Sequence, residues 1–323
     1  MIMYLKNFKP KTPFSQKHLL CLQDYSADEI LSLLKLALEL KQQQKNGVPH
    51  PLLQGKTLGM IFSKSSTRTR VSFEVGIYQL GGMGLFLSSH DIQLGRGETI
   101  EDTAKVLSRM VDGIMIRTFA QSDVEDLATY GSIPIINGLT DDFHPCQALA
   151  DILTLYEHTG SIRGQKLAYI GDGNNMAHSL LIICSKLGID IAVGCPQGYL
   201  PKDQALSWAT SNAKESGSNV LVTHDPIQAV AHADAVYTDV WASMGQESEA
   251  AEKHAHFAGY QVNSALMSHA KPNAIFLHCL PAHRGEEVSS DIIDSPRSVV
   301  FDEAENRLHA QKAVMAMLMG GVL

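Results

Sequence analysis

Residues 62–74 read FSKSSTRTRVSFE, a stretch that sets three cations, Lys64, Arg68 and Arg70, among hydroxyl side chains where an apolar run gives way to a helical pattern. A hydroxyl N-cap at Ser65 or Ser66 would leave the next backbone N–H groups pointing outward. The positive end of the helix dipole would join them in a ready anion site. Arginines in a first helical turn oppose that dipole, which favours Asp or Glu. Two of them there make sense if a phosphate dianion accepts bidentate hydrogen bonds from them. The alternative is a plain helix start with exposed arginines. No G-x-x-x-x-G-K-[ST] occurs, which excludes a P-loop.

Other stretches carry chemistry of their own. In FHPCQ, His144 and Gln147 share a face if a helix starts at Pro145. An imidazole and an amide placed so could polarise a carbonyl oxygen without a charged base, or could serve as a cap and a polar contact. Zinc is a third option for His144, Cys146, His278 and Cys279, whose spacing matches no finger or metalloprotease pattern. YIGDGNNMAHS invites a dinucleotide reading. Met176 stands where the third glycine belongs, however, and the next strand ends in VGCP without an acid for a ribose hydroxyl. A tight glycine turn presenting Asn174 and Asn175 to a ligand fits better. In DVWASMG, Asp239 could bind an ammonium group and Ser243 could touch the same ligand. In HCLPAHRGEE, Cys279 at a strand end is either a thiol that touches or attacks substrate, or an inert buried one. No G-x-S-x-G elbow supports a hydrolase triad. His254 and His256 of EKHAHF diverge on a helix and read as surface residues.

These clusters need elements to hold them. SADEILSLLKLALELKQQQKNG is a helix opened by a Ser26/Glu29 capping box and ended at Asn46-Gly47. Beyond it, short apolar runs alternate with helical patterns. The expected strands are Thr57–Ser63, Gly84–Ser88, Gly113–Arg117, Ile133–Ile136, Lys166–Ile170, Ile189–Val193, Val220–Thr223, Ala235–Thr238 and Ala274–His278. Strands separated by helices imply βαβ units and parallel sheets covered on both faces. The expected fold is therefore α/β: two domains, each a parallel sheet flanked by helices. QALADILTLYEHTGSIRG leads from one to the other, and a Met-rich helix from roughly Glu303 to Met319 closes the chain. Strand after strand ends in an unusual polar cluster, and ligands of open parallel sheets bind beyond the C-terminal strand ends. The expectation is an active site in the cleft between the domains.

Composition limits the partners. The chain has 323 residues, enough for two cores, with 45% hydrophobic and 19% charged residues and a net charge of −8. An acidic balance argues against a general nucleic-acid or membrane-surface binder. Five scattered cysteines without a C-x-x-C pair fit a reducing compartment. With no apolar h-region and no run of membrane-spanning length, the expected location is cytoplasmic.

Taken together, the motifs resemble those of a carbamoyltransferase. STRTR and HPCQ match the carbamoyl phosphate motifs shared by the aspartate and ornithine carbamoyltransferases. DVWASMG and HCLP resemble the amino-acid-binding motifs of the ornithine-specific members, and the resemblance runs in order from about Leu20 to the last helix. It implies a carbamoyl phosphate domain over 1–149, with helix 304–323 packed back on it, and an L-ornithine domain over 150–303. It implies that Ser66, Thr67, Arg68 and Thr69 bind the phosphate, and that Arg117, His144 and Gln147 bind the carbonyl and amide end. Arg307 would complete that site, and Gln93 would reach a neighbouring subunit's site in a homotrimer or a multiple of trimers. Asn175, Asp239, Ser243 and Met244 would hold the α-amino and carboxylate groups of ornithine. Cys279 and the Leu280 carbonyl would lie beside the side-chain amine and the carbamoyl group. Arg68, Arg117, His144 and Cys279 would be the catalytic set. The resemblance implies no metal and no organic cofactor. Aspartate carbamoyltransferase is the nearest rival; it would need cations for a second carboxylate, where this chain has Asp239 and Cys279. Putrescine and N-acetylornithine enzymes are further rivals, and a non-catalytic phosphometabolite-binding protein is the rival of another class.

Overall fold

The computed structural model describes residues 5–242 and 250–321. The chain divides into two compact units, one built from Leu5–Ala150 with the segment from Glu305 onward, the other from Asp151–Ala304.

The first unit opens with α1 (Ala27–Lys45), whose Ser26 hydroxyl and Glu29 carboxylate form the expected capping box. There follow β1 (Thr57–Phe62), α2 (Thr67–Gln79), β2 (Met83–Ser88), α3 (Ile100–Leu107), β3 (Gly113–Arg117), α4 (Gln121–Tyr130), β4 (Ile135–Leu139) and the start of α5 (Pro145–Thr159). The sheet order is β2-β1-β3-β4, and every pairing is parallel. β1 and β3 are central and buried along almost their whole length, which is why TLGMIF and GIMIR read as near-continuous apolar runs rather than alternating ones. The fourth strand lies later than Ile133–Ile136. Pro134 has no N–H for the ladder, so pairing begins at Ile135 and runs through Gly138 to Leu139.

The second unit continues with β5 (Lys166–Ile170), α6 (Asn175–Leu187), β6 (Asp190–Gly194), α7 (Asp203–Ser216), β7 (Val220–Thr223), α8 (Pro226–Val230), β8 (Ala235–Thr238), α9 (Ala250–His256), α10 (Ser264–Met267), β9 (Ile275–His278) and α11 (Ser290–Ile293). Its sheet order β7-β6-β5-β8-β9 is again wholly parallel. The order reverses at β5, and β5 and β8 on the two sides of that switch end in GDGNN and DVWAS, the place where open sheets take ligands. The last helix, α12 (Val300–Gly320), starts a turn earlier than Glu303 and carries the chain back into the first unit. No helix among the described residues is long and apolar enough to cross a membrane.

Candidate active site

In the first unit the polar cluster begins at the N-terminus of α2. Ser66, not Ser65, is the N-cap: its Oγ accepts from Thr69 N at 3.2 Å and donates to Thr69 Oγ1 at 3.0 Å. That leaves Thr67 exposed and Arg68 half-buried in a first turn with no acidic residue. Arg117 ends β3, where the register with β4 shifts between Ile116 and Arg117. Such an irregularity re-aims the side chain at a strand end. His144 immediately precedes α5, whose first residue is Pro145, and Gln147 lies one turn into it; both are buried.

Arg307 of α12 ties these pieces together. Its guanidinium is buried and donates from Nη1 to Gln147 Oε1 at 2.6 Å and from Nη2 to Thr69 Oγ1 at 3.1 Å. Burial holds the His144 imidazole well below the usual histidine range, and the positive charges of Arg307, Arg117 and Arg68 push it the same way. His144 is therefore a neutral imidazole facing three cations. Such a group can donate a hydrogen bond to an oxygen and cannot compete with the arginines for an anion.

The other two cations of the opening stretch are accounted for locally. Lys64 is buried, pairs with Asp141, and lies 4.2 Å from the centre of the Phe119 ring. Arg70 is exposed, bonded to Glu74 at 3.1 Å and stacked 3.7 Å over Phe86. Gln93 is exposed on a short 3-10 helix, and its side chain makes no hydrogen bond to the His144 group among the described residues.

The second unit holds a separate cluster at the ends of β5, β8 and β9. Asn174 caps α6, its Oδ1 accepting from Met176 N at 2.9 Å and Ala177 N at 3.3 Å, while Tyr169 Oη donates to the same oxygen at 3.2 Å. With Oδ1 so occupied, Nδ2 donates to Asp239 Oδ2 at 3.1 Å. The other Asp239 oxygen accepts from Val240 N at 2.8 Å and from the Cys279 thiol at 3.0 Å. Burial and the Asp239 carboxylate push the Cys279 thiol well above its usual range. Cys279 is thus placed as a protonated donor toward Asp239. Asn175 is the first residue of α6, beside the cap. Ser243 and Met244 lie outside the described residues.

The GDGNN turn has no room for a dinucleotide phosphate. A Cβ on Gly173 would stand 2.2 Å from Pro201 N, and Gly173 N donates to Tyr199 O at 2.9 Å. The glycine that lets a pyrophosphate approach in nucleotide folds here admits the chain's own backbone. Among the zinc candidates, the Cys146 thiol is pushed by burial up to about 12. Ligand atoms of His278 and Cys279 lie with one of Asp239 within 4.8 Å of one another, the His278 ring being bonded to Leu280 N and Glu287.

Three roles in this cluster are not legible in the sequence: Asn174 as the partner of Asp239, His278 as the acceptor for Leu280 N rather than a zinc ligand, and Glu287 as the partner of His278. The adjacent asparagines of GDGNN did signal a ligand-facing turn. Which one caps the helix and which faces outward depends on where the helix begins, within one residue.

The family model described as aspartate/ornithine carbamoyltransferase, carbamoyl-P binding domain, matches residues 17–157, and its Asp/Orn binding domain counterpart matches 163–318. An ornithine carbamoyltransferase of Thermococcus kodakarensis is 61% identical over 306 residues, covering 95% of this chain and 97% of that protein. A Pyrococcus furiosus relative named ornithine carbamoyltransferase, anabolic, is 60% identical over 306 residues, 95% of this chain and 97% of its own length. The solved ornithine carbamoyltransferase from Pyrococcus furiosus superposes with a TM-score of 0.93 at 59% identity, over 97% of this chain and all of that one. The anabolic enzyme from Campylobacter jejuni does so with 0.88 at 42% identity, over 94% of this chain and 99% of its own. Likeness of this extent, along the whole length of both proteins, establishes that the chain belongs to the aspartate/ornithine carbamoyltransferase family, among its ornithine carbamoyltransferases.

Proposed function

We propose that the protein transfers the carbamoyl group of carbamoyl phosphate to the Nδ amine of L-ornithine, giving L-citrulline and phosphate. The observation that carries this reading is that one unit holds three arginines acting on a neutral His144 and the other holds an Asp239–Cys279 cluster, in a chain 61% identical to a named ornithine carbamoyltransferase. The first cluster suits a phosphorylated carbonyl compound. The second suits an amino group, since the groups bonded at its centre are the Asp239 carboxylate and the Cys279 thiol rather than the cations a second carboxylate would need.

The residues divide the work as follows. Ser66, Thr67, Arg68 and Thr69, at the positive end of α2, take the phosphate. Arg117, His144 and Gln147 take the carbonyl oxygen and amide, with Arg307 holding Thr69 and Gln147 in place. Asn175, Asp239, Ser243 and Met244 hold the α-amino and carboxylate groups of ornithine, and Cys279 with the Leu280 carbonyl lies against the side-chain amine. When the neutral amine attacks the carbonyl carbon, charge grows on the oxygen faced by Arg117 and His144. The C–O bond to phosphate then breaks, and the departing dianion is met by Arg68 and the α2 amides. A preset donor aimed at such an oxygen contributes about 3 kcal/mol, and fixing the two reactants supplies much of the rest. The amine proton passes to phosphate, which is why no side-chain base is required. No metal or organic cofactor takes part.

The protein works in the cytoplasm as a homotrimer or a multiple of trimers, with Gln93 reaching a neighbouring subunit. The support is an exposed apolar edge: Met83, Leu85 and Phe86 on edge strand β2, beside Val71, Val75 and Tyr78 of α2. Net synthesis of citrulline, in arginine biosynthesis, fits the Pyrococcus furiosus relative named anabolic.

The test supplies purified protein with carbamoyl phosphate and, separately, ornithine, aspartate, putrescine or N-acetylornithine, and measures carbamoylated product and released phosphate. Citrulline with ornithine is expected. Preference for aspartate would overturn the amine assignment, and no turnover with any amine would overturn the enzyme reading.

A further inference from the structure

The Cys279–Leu280 corner is held in an unusual backbone conformation by two buried side chains, His278 and Glu287. Leu280 has φ 57°, a left-handed value that a branched side chain rarely adopts. Its N–H donates to His278 Nδ1 at 2.8 Å. That bond closes the turn from residue i to i+2, as an Asx side chain would. An acceptor at Nδ1 places the ring proton on Nε2, which faces Glu287 Oε1 at 3.1 Å. The same Glu287 oxygen accepts from His283 N at 2.6 Å, so one carboxylate gathers the loop from its two ends. His278 and Glu287 are fully buried, and the His278 backbone N–H is anchored in turn by Glu303 Oε2 at 2.8 Å. The His278 ring and the Glu287 carboxylate at the centre of this chain of bonds are buried, and their bonds run to the backbone of residues 280 and 283.

We infer that His278, oriented by Glu287, is a positioning residue that sets the Cys279 thiol and the Leu280 carbonyl at the distance that reads the length of the amine-bearing side chain. The inference rests on the ornithine-carbamoylating reading given above. A corner fixed from behind by two ring bonds presents its carbonyl at one height. Without them, Leu280 relaxes toward the negative φ favoured for its side chain, and the carbonyl swings away. Small misplacement of a group beside the reacting atoms is enough to lose about 100-fold in rate.

The experiment compares wild type with His278→Phe, His278→Asn and Glu287→Gln. The phenyl ring keeps the volume and loses both bonds. Asn keeps an oxygen able to accept from the N–H two residues on. Gln keeps an acceptor for the His278 ring and removes the charge. Three readouts are taken: kcat/KM for ornithine, its ratio to kcat/KM for lysine (one methylene longer), and the affinity for inorganic phosphate. Expected for His278→Phe is a loss on the order of 100-fold for ornithine, a narrowed ornithine-to-lysine ratio, and unchanged phosphate affinity. His278→Asn should recover a large part of the loss, and Glu287→Gln should fall between Asn and wild type. Should His278→Phe fail to fold, the Asn and Gln variants still report the selectivity ratio. An unaltered ratio in all the variants that fold, or losses of phosphate affinity in parallel with ornithine turnover, would overturn the positioning role. Wild type that makes no citrulline would instead overturn the functional reading beneath it.

Discussion

The thiol of Cys279 donates to Asp239 Oδ1 at 3.0 Å, which joins the ends of β8 and β9 through one side-chain bond. Burial is the larger cause of the raised thiol and the carboxylate the next, so Cys279 carries less thiolate at neutral pH than a free cysteine. Alkylation of Cys279 by iodoacetamide, followed by mass spectrometry, should be slow in wild type and faster in Asp239→Asn, though still slower than for a free thiol. Cys279→Ser, which keeps a donor toward Asp239, should lose no more than about tenfold in kcat, the most that one neutral hydrogen bond would account for. A loss on the order of 10⁶, as for an essential nucleophile, would contradict the donor role.

Arg307 should resist replacement by its nearest relative. Lysine keeps the charge and loses the fork that spans Thr69 Oγ1 and Gln147 Oε1, so that one of these two bonds to residue 307 is lost. The expected effect of Arg307→Lys is a fall of about 10- to 100-fold in kcat/KM for carbamoyl phosphate, equivalent to about 1.5–3 kcal/mol for hydrogen bonds to a charged group. Ornithine KM should hardly move. Steady-state kinetics varying each substrate in turn would show the assignment to be wrong if the loss fell on ornithine alone.

Much of this architecture was legible because parallel sheets advertise themselves. Apolar runs such as GIMIR and KLAYI are buried on both faces, and each is followed by a polar stretch that a buried strand end cannot otherwise house. The proposed anion site was legible in Arg68, which opposes the helix dipole in a first turn. Lys64 and Arg70 look the same in sequence, yet one is spent on Asp141 and the other on Glu74 and Phe86. Those partners lie on other elements or a turn away, and charge alone does not sort such cases. Arg307 is harder still: nothing in ENRLHAQ marks a cation that reaches Thr69 across 238 residues of chain, and only the family resemblance pointed to it. His278 escaped because its two bonds depend on the left-handed turn at Leu280, a backbone fact with no signature in HCLP.

The exposed stripe on α2 and β2 should be an assembly surface. Val71, Val75 and Tyr78 follow one another at helical spacing on α2, and Met83 lies exposed on the edge strand beside it. Tyr78→Glu combined with Met83→Glu places two charges in that stripe without touching any buried side chain. Light scattering should report a multiple of three chains for wild type and a single chain for the variant. A variant that keeps the wild-type mass would move the interface elsewhere.

Acid should affect the stabilities of the two units in opposite directions. In the second unit, burial raises Glu303 from its ordinary 4.5 to about 7, although hydrogen bonds from His278 N, Asp151 and Tyr237 favour its charged form. Between those values the folded state holds a proton that the unfolded chain has released. Stability there is highest below about 4.5 and declines as pH rises through the window to about 7. In the first unit, burial pushes His144 well below 6.5 and brings His309 to about 3, each helped by neighbouring cations. Below 6.5 it is the unfolded chain that binds more protons, so that unit loses stability as pH falls. Native-state hydrogen exchange resolves the two, since each sheet reports on its own unit. After correction for intrinsic rates, amides of β8 and β9 should be better protected at pH 5 than at pH 7.5, and those of β1 and β3 less so. Glu303→Gln should flatten the first response and leave the second, and His144→Gln should weaken the second while His309 maintains part of it. Protection that moved in the same direction in both sheets would contradict the burial of one of these groups in the charge state assigned to it.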